Sequence, residues 1–272
     1  MTKKNEIDTI KISTIKIGAG EKNHSIAILH RHAELKAKSN EKPAGLFWLG
    51  GFKSDMLGSK AIYLDDLGKH QGLEVARFDY SGHGQSGGEF IDGTISNWLE
   101  EALEVFATTK GEQIIIGSSM GGWLALLLNR ALIKSGQARV RAIILIAPAI
   151  DMSKDLMSDK FTQSQLNELE KNGYIEQPSD YDEPYIITKK LIDDGKQHLL
   201  FSEGSIKTNC PVHIIQGGLD DAVPPAHALK LMSHLTMDEV VFTLIPDGGH
   251  SLSRAQDLDK LGEVILSFLS DK

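Results

Sequence analysis

The chain has 272 residues, 41% of them apolar and 24% charged, with a formal net charge of −8 and a single cysteine. That length and apolar content are enough for one large core, and acidity spread without any Lys/Arg run excludes a nucleic-acid partner gripped through its phosphates. Cys210 alone rules out an intramolecular disulfide and suits a reducing, cytoplasmic setting, and no stretch reaches the roughly 20 apolar residues of a membrane span.

The first residues are basic, but Ile7–Ile17 alternates apolar with polar residues, a strand pattern and not the apolar stretch of a leader. Strands are predicted at Ile10–Ile17 and Ser25–His30, with the turn-rich residues 18–23 joining them as a hairpin. Further strands are predicted at Gly45–Leu49, Glu74–Tyr80, Gln113–Gly117, Arg141–Ala147, Val212–Gln216 and Val240–Ile245. Helical periodicity fills the spaces between them, at Ser59–His70, Ile95–Thr109, Met120–Ile133, Pro225–Leu235 and Ala255–Leu269. Runs such as Ile114–Ile116 and Ile143–Ile146 are apolar on both faces, which only a strand covered by helices on both sides tolerates. The sheet is therefore expected to be mostly parallel. The last helix gathers Leu258, Leu261, Ile265 and Phe268 on one face, whereas Met120–Ile133 is apolar all round, as a central helix should be.

One segment breaks the alternation. Between Pro148 and Cys210 no strand is apparent, and helices are predicted over Phe161–Lys171 and Glu183–Asp194. An insertion of this size after a sheet strand reads as a cap over a site. The expected organisation is a core in two parts, 1–150 and 209–272, interrupted by a helical cap over 151–208. Residues 151–205 hold twelve Asp/Glu against six Lys, a charge that disfavours polyanionic ligands. Met152, Leu156, Met157 and Phe161 read first as packing within that cap, with the lining of an acyl pocket as the alternative.

The chemistry concentrates in the loops after the predicted strands, where open α/β sheets place their sites. Gly117-Ser118-Ser119-Met120-Gly121 lies at the junction of an apolar strand and the buried helix. A serine exposed on a sharp strand-to-helix turn needs small residues two positions to either side, and only Ser119 has glycine at both, which sets aside Ser118. The Met120 N–H then opens a helix and faces an oxyanion. Gly50-Gly51-Phe52 after the third strand allows a close backbone approach, so the Phe52 N–H is the expected second donor.

A serine hydroxyl needs a base, and the base needs a carboxylate to fix its tautomer. His250, following Asp247-Gly248-Gly249 at the end of the last strand, is the candidate base. Asp220 and Asp221, after the seventh strand, both compete as the acid. His30 and His32 share one face of a strand, but no third ligand with suitable spacing is apparent, so no metal and no cofactor are expected. His227 and His234 read as packing or surface residues, His83 as a hydrogen-bonded loop residue, and Cys210 as a small packing residue.

Gly50-Gly51-Phe52-Lys53-Ser54-Asp55-Met56, the Ser81–Gly87 turn, the Gly117–Gly121 elbow, the stretch from Asp220 to Pro224 and His250 occur in the order of the α/β-hydrolase superfamily, which the chain resembles over nearly its whole length. The resemblance implies an eight-stranded, mostly parallel sheet with helices on both faces. Its G-x-x-D-x-x-V-P register, started at Gly217, lands on Asp220, with Asp221 remaining as the rival. Within the superfamily the chain is most similar to the ABHD10-like subgroup. That implies esterase or thioesterase activity, including removal of acyl groups from cysteine and cleavage of acyl glucuronides. One departure is Leu49-Gly50-Gly51-Phe52 where many relatives have His-Gly.

The expected protein is a serine hydrolase acting on a small-molecule or acyl-chain substrate through an acyl-enzyme on Ser119. Peptidase or carbon–carbon bond hydrolase chemistry on the same residues is the alternative. A binding protein that has merely kept the scaffold is the reading from another class, and labelling by a fluorophosphonate probe separates it from an enzyme.

Overall fold

A computed structural model describes residues 12–17, 24–33, 43–137, 139–177 and 184–269. Eight strands form one sheet: β1 (Ile12–Ile17), β2 (His24–Arg31), β3 (Gly45–Leu49), β4 (Val75–Phe78), β5 (Gln113–Ser118), β6 (Val140–Ile146) and, after the insertion, a pair at Val212–Gly217 and Val240–Ile245. The order across the sheet is β1, β2, β4, β3, β5, β6, then Val212–Gly217 and Val240–Ile245 at the far edge. β2 runs antiparallel to both its neighbours and the other pairings are parallel. The mostly parallel, eight-stranded sheet expected from the apolar runs is what forms. The hairpin expected over residues 18–23 lies outside the described residues.

Burial explains why those runs had to be apolar on both sides. Alternate residues of β5 and β6 feed two cores: Ile115, Ile143 and Leu145 join one with helices α2 (Ile95–Thr108) and α3 (Met120–Lys134). Ile114, Ile116, Ile144 and Ile146 join the other, under α1 (Ser59–Gln71) and the C-terminal helix Ala255–Leu269. α3 is buried along most of its length, including Trp123 and Leu124–Leu128. At roughly 25 cal/mol per Å² of apolar surface removed from water, this double-sided burial is the main driving force for the fold. No helix among the described residues is long and apolar enough to cross a membrane.

The insertion between β6 and the next sheet strand is less helical than its sequence suggests. It begins with Asp151 in the left-handed region (φ 54°), passes through a π-helical turn at Met152–Met157, and continues into α4 (Gln163–Asn172). α4 starts on a reciprocal cap in which the Thr162 hydroxyl and the Gln165 side chain each serve the other's backbone. Then comes a two-stranded antiparallel ribbon, β7 (Tyr174–Gln177) and β8 (Tyr185–Thr188), before α5 (Lys189–Gly195). The helix expected over Glu183–Asp194 therefore exists only from Lys189. Ile186, Ile187 and Thr188 are β-branched and favour the extended state, and Thr188 caps α5 by accepting the Leu191 N–H (3.0 Å). Phe161, Leu169, Ile175, Ile187 and Ile192 give the insertion a small apolar cluster of its own, against which Met157 packs. Beyond it lie β9 (Val212–Gly217), α6 (Pro225–His234), β10 (Val240–Ile245) and α7 (Ala255–Leu269).

Candidate active site

Ser119 sits between β5 and α3 with φ 54° and ψ −118°, a backbone conformation that costs a non-glycine residue roughly 1–3 kcal/mol. Its surroundings hold it there. The Ser119 N–H donates to Ile146 O (2.9 Å), and its carbonyl accepts from the Gly122 N–H (2.9 Å) and the Ala149 N–H (3.0 Å). The flanking glycines answer to close approach. A Cβ on Gly121 would stand 2.1 Å from Leu49 O, and one on Gly117 would stand 2.2 Å from Gly121 O. Three backbone segments thus interlock, and the serine is pushed out at the carboxyl end of β5.

His250 reaches Ser119 from the loop after β10, with Nε2 3.1 Å from the Ser119 Oγ. Its Nδ1 lies 2.9 Å from Asp220 Oδ2. A carboxylate only accepts, so Nδ1 carries the proton and Nε2 is left as an acceptor facing the hydroxyl. The Asp220 side chain is fully buried, and its other oxygen accepts the Val223 N–H (2.8 Å) while Gln216 Nε2 donates to Oδ2 (3.2 Å). Asp221 is exposed. The Asp220 and His250 loops are joined directly, Gly218 N–H to Ile245 O and Leu219 N–H to Gly248 O, both 2.8 Å. All three residues singled out from the sequence are brought into one hydrogen-bonded chain, and Ser118 remains buried at the end of β5.

The loop after β3 packs on the elbow: a Cβ on Gly51 would be 3.4 Å from the Ser119 Cβ. The next residue, Phe52, and Met120 at the first position of α3 are the two expected oxyanion donors. Neither N–H has a hydrogen-bond partner among the described residues. The first N–H groups of a helix have no intrahelical acceptor, which leaves Met120 free to meet a developing negative charge.

Sequence reasoning read His83 as a hydrogen-bonded loop residue; the structure shows that it is one and that it fixes this loop. Its Nε2 is 3.1 Å from the Lys53 N, and its Nδ1 is 3.1 Å from Ser81 O. An amide N–H only donates and a carbonyl only accepts, so His83 is the neutral Nδ1–H tautomer. Burial pushes its pKa down; the bond to Ser81 opposes this, and the Lys53 charge adds to the lowering. Lys53 itself has φ 58°, so the histidine secures a strained residue immediately after Phe52. The adjoining Asp79–Ser86 turn is structural: Asp79 accepts the Met56 N–H (2.6 Å) and the Gln85 N–H (2.8 Å). Only the histidine between two turn glycines hinted at a role for this segment.

The insertion closes over the same loop. The Phe52 ring packs against Phe90 (4.9 Å between centroids), Trp98 (6.1 Å) and Tyr185 of β8 (6.3 Å), while Lys53 Nζ donates to Pro184 O (3.2 Å). At its base Asp151 accepts both the Leu200 N–H (2.8 Å) and the Phe201 N–H (2.9 Å). Burial raises the Asp151 carboxyl, against the pull of those two bonds. Met152 is buried in the main core, Leu156 and Met157 pack partly against it, and Phe161 belongs to the insertion's own cluster. His227 is buried and donates from Nε2 to Ile150 O (2.9 Å), and burial pushes the Cys210 thiol up to about 11, far from a reactive thiolate. His30 and His32 stand with Glu74 at the opposite end of the sheet, since Glu74 precedes β4 while Ser119 follows β5.

Comparison with known proteins speaks to the family and the fold. Residues 63–184 match the family described as serine aminopeptidase, S33. The chain is 30% identical over 236 residues to the mitochondrial palmitoyl-protein thioesterase ABHD10 of Homo sapiens, covering 85% of this chain and 73% of the relative. An Agrobacterium vitis S4 protein of known crystal structure superimposes with a TM-score of 0.91 at 44% identity, over 96% of this chain and 100% of the other. The α/β-hydrolase domain-containing protein 10 from mouse superimposes with a TM-score of 0.78 at 27% identity, over 94% and 97% of the two chains.

Proposed function

The chain belongs to the ABHD10-like α/β-hydrolases, and on that premise we propose that it hydrolyses thioester and ester bonds through an acyl-enzyme on Ser119. The observation that carries this reading is the continuous chain from the Ser119 hydroxyl through His250 to the buried Asp220 carboxylate, at 3.1 Å and 2.9 Å. His250 Nε2 takes the hydroxyl proton as Oγ attacks the carbonyl carbon, and Asp220 stabilises the imidazolium that forms. The negative charge that develops on the carbonyl oxygen falls to the Met120 and Phe52 N–H groups. As the tetrahedral intermediate collapses, His250 gives its proton to the leaving thiol or alcohol. A water deprotonated by the same nitrogen then attacks the acyl-enzyme and releases the acid.

A carboxylate within the pocket is what an aminopeptidase needs to hold its substrate's ammonium group. Among the described residues, the three carboxylates of the insertion that are not exposed already have partners: Asp151 the Leu200 and Phe201 N–H groups, Asp194 the Ser96 N–H (2.8 Å), and Asp155 the Lys230 ammonium. This favours the ester and thioester reading over the peptidase one. The aromatic cover of Phe52, Phe90 and Tyr185 suits an apolar acyl chain.

The test is hydrolysis of a p-nitrophenyl ester series from acetyl to palmitoyl, alongside S-palmitoyl-cysteine peptides, by the parent and by Ser119→Ala. Removing the nucleophile should lower kcat by about 10⁶-fold or to background. Hydrolysis undiminished in the variant, or absent on every ester and thioester offered to folded protein, would overturn the proposal.

A further inference from the structure

His30 near the end of β2 and His32 just beyond it acquire a third partner that their sequence neighbourhood does not contain. β2 and β4 pair antiparallel with His30 opposite Ala76 and Arg31 opposite Val75. Continuing that register sets Glu74 opposite His32, and residues two apart on a strand share a face. The potential ligand atoms of His30, His32 and Glu74 all lie within 4.8 Å of one another. His30 Nε2 is 2.9 Å from Glu74 Oε1, and the two imidazole rings stand 4.4 Å apart with a 45° tilt.

Glu74 is presented as a ligand would be. Its Oε2 accepts the Lys110 N–H (3.0 Å) and the Gln113 side-chain amide (2.8 Å), which fixes the carboxylate plane and aims Oε1 at the histidines. Outer hydrogen bonds of this kind orient metal-binding carboxylates and imidazoles. The three residues also grade from inside to outside: Glu74 is buried, His30 half-buried and His32 exposed. A small ion therefore has a way in from solvent and a fixed anchor at the bottom.

We propose that His30, His32 and Glu74 bind one divalent ion of the zinc type, at the end of the sheet opposite Ser119. Two imidazole nitrogens and one carboxylate oxygen are a donor set that zinc takes readily, with water completing a tetrahedron. The Nε2 proton of His30, now donated to Glu74, leaves to solvent as the metal takes that nitrogen. The ion cross-links the end of β2 to the residue just before β4 and stabilises the antiparallel edge of the sheet. Because the site is remote from the elbow, its fate is independent of the hydrolase reading.

The experiment titrates Zn²⁺ into the metal-stripped full chain in competition with a chromophoric chelator, and follows thermal unfolding with and without excess Zn²⁺. One ion per chain and a raised Tm are expected. His32→Ala, a change at an exposed position that leaves folding intact, should weaken binding at least about tenfold and abolish the Tm rise. Glu74→Gln should do the same wherever it folds, and His70→Ala, at another exposed histidine, should change neither readout. Absence of saturable one-to-one binding, or His32→Ala binding as tightly as the parent, would overturn the proposal. Ester hydrolysis should be equal in zinc-loaded and stripped protein.

Discussion

The elbow beneath Ser119 and the insertion above it are held by different forces. At the elbow, backbone meets backbone: Gly117, Gly121 and the Leu49–Gly50 carbonyls leave no room for one added carbon. The insertion sends Met152, Leu191 and Leu200 into the main core, but its ends and its free side are fastened by polar contacts. Asp151 holds Leu200 and Phe201, Asp194 holds the Ser96 N–H, the Ser96 hydroxyl meets His198 Nε2 (2.7 Å), and Trp123 Nε1 donates to His198 O (3.1 Å). A steric lock has one solution, whereas a hydrogen bond accepts replacement partners, water included. The elbow is thus the part of the molecule that cannot vary, and the insertion the part that can.

The sharpest way to break this contrast is electrostatic and leaves both regions in place. Asp220→Asn keeps shape and burial but removes the acceptor that holds His250 in its productive tautomer, and kcat should fall about 10⁴-fold. Asp221→Asn, at the neighbouring exposed position, should leave kcat unchanged in the same assay. Next in size is Gly121→Ala, whose methyl would meet Leu49 O; a loss of about 3 kcal/mol is expected in a denaturant melt. An equal methyl on the exposed face of α4 should cost almost nothing.

His83→Asn tests whether the oxyanion loop needs its anchor. Loss of the Lys53 N–H contact should let Phe52 drift and lower kcat about tenfold, short of the loss from deleting a donor outright. The pH dependence has a definite sign. His83 has a folded pKa depressed by burial, so below about pH 6.5 the unfolded chain takes up a proton that the folded chain resists. Its contribution to stability is present above that pH and is lost as pH falls through the folded value. Tm of the parent should therefore drop more steeply below about pH 6.5 than Tm of the variant. The smallest effect is expected at the insertion: Asp151→Asn leaves one of the two N–H groups poorly served, for about 1 kcal/mol. Faster proteolysis within 151–200 and a changed KM at nearly constant kcat would mark a loosened cover over an undisturbed elbow.

How much of this was legible in the sequence follows the same division. Ile114–Ile116 and Ile143–Ile146 announced a covered parallel sheet because burial on two faces permits no other pattern, and the spacing of Gly117 and Gly121 pointed to Ser119 because close backbone approach demands glycine. In the insertion, Tyr185–Thr188 was absorbed into an expected helix, since two isoleucines ahead of Leu191 and Ile192 suit either period. Asp220 over Asp221 was a matter of register alone, which burial of the former turns into geometry. The tasks of Asp151 and His83 and the approach of Glu74 to His30 depend on partners 30 to 50 residues away, and no local pattern records those.

The clasp formed by Asp151 has a consequence in polymer terms. One carboxylate joins the start of the insertion to Leu200 and Phe201, well before the chain re-enters the sheet at Val212, so Asp151 and Leu200 close the ends of a long loop. The entropy of closing such a ring grows only with the logarithm of its length, so doubling the loop adds about 0.6 kcal/mol. Lengthening or shortening the stretch of it that does not reach the main core therefore costs the sheet little. That makes the insertion a natural cassette for grafting a new binding surface onto an unchanged reaction centre.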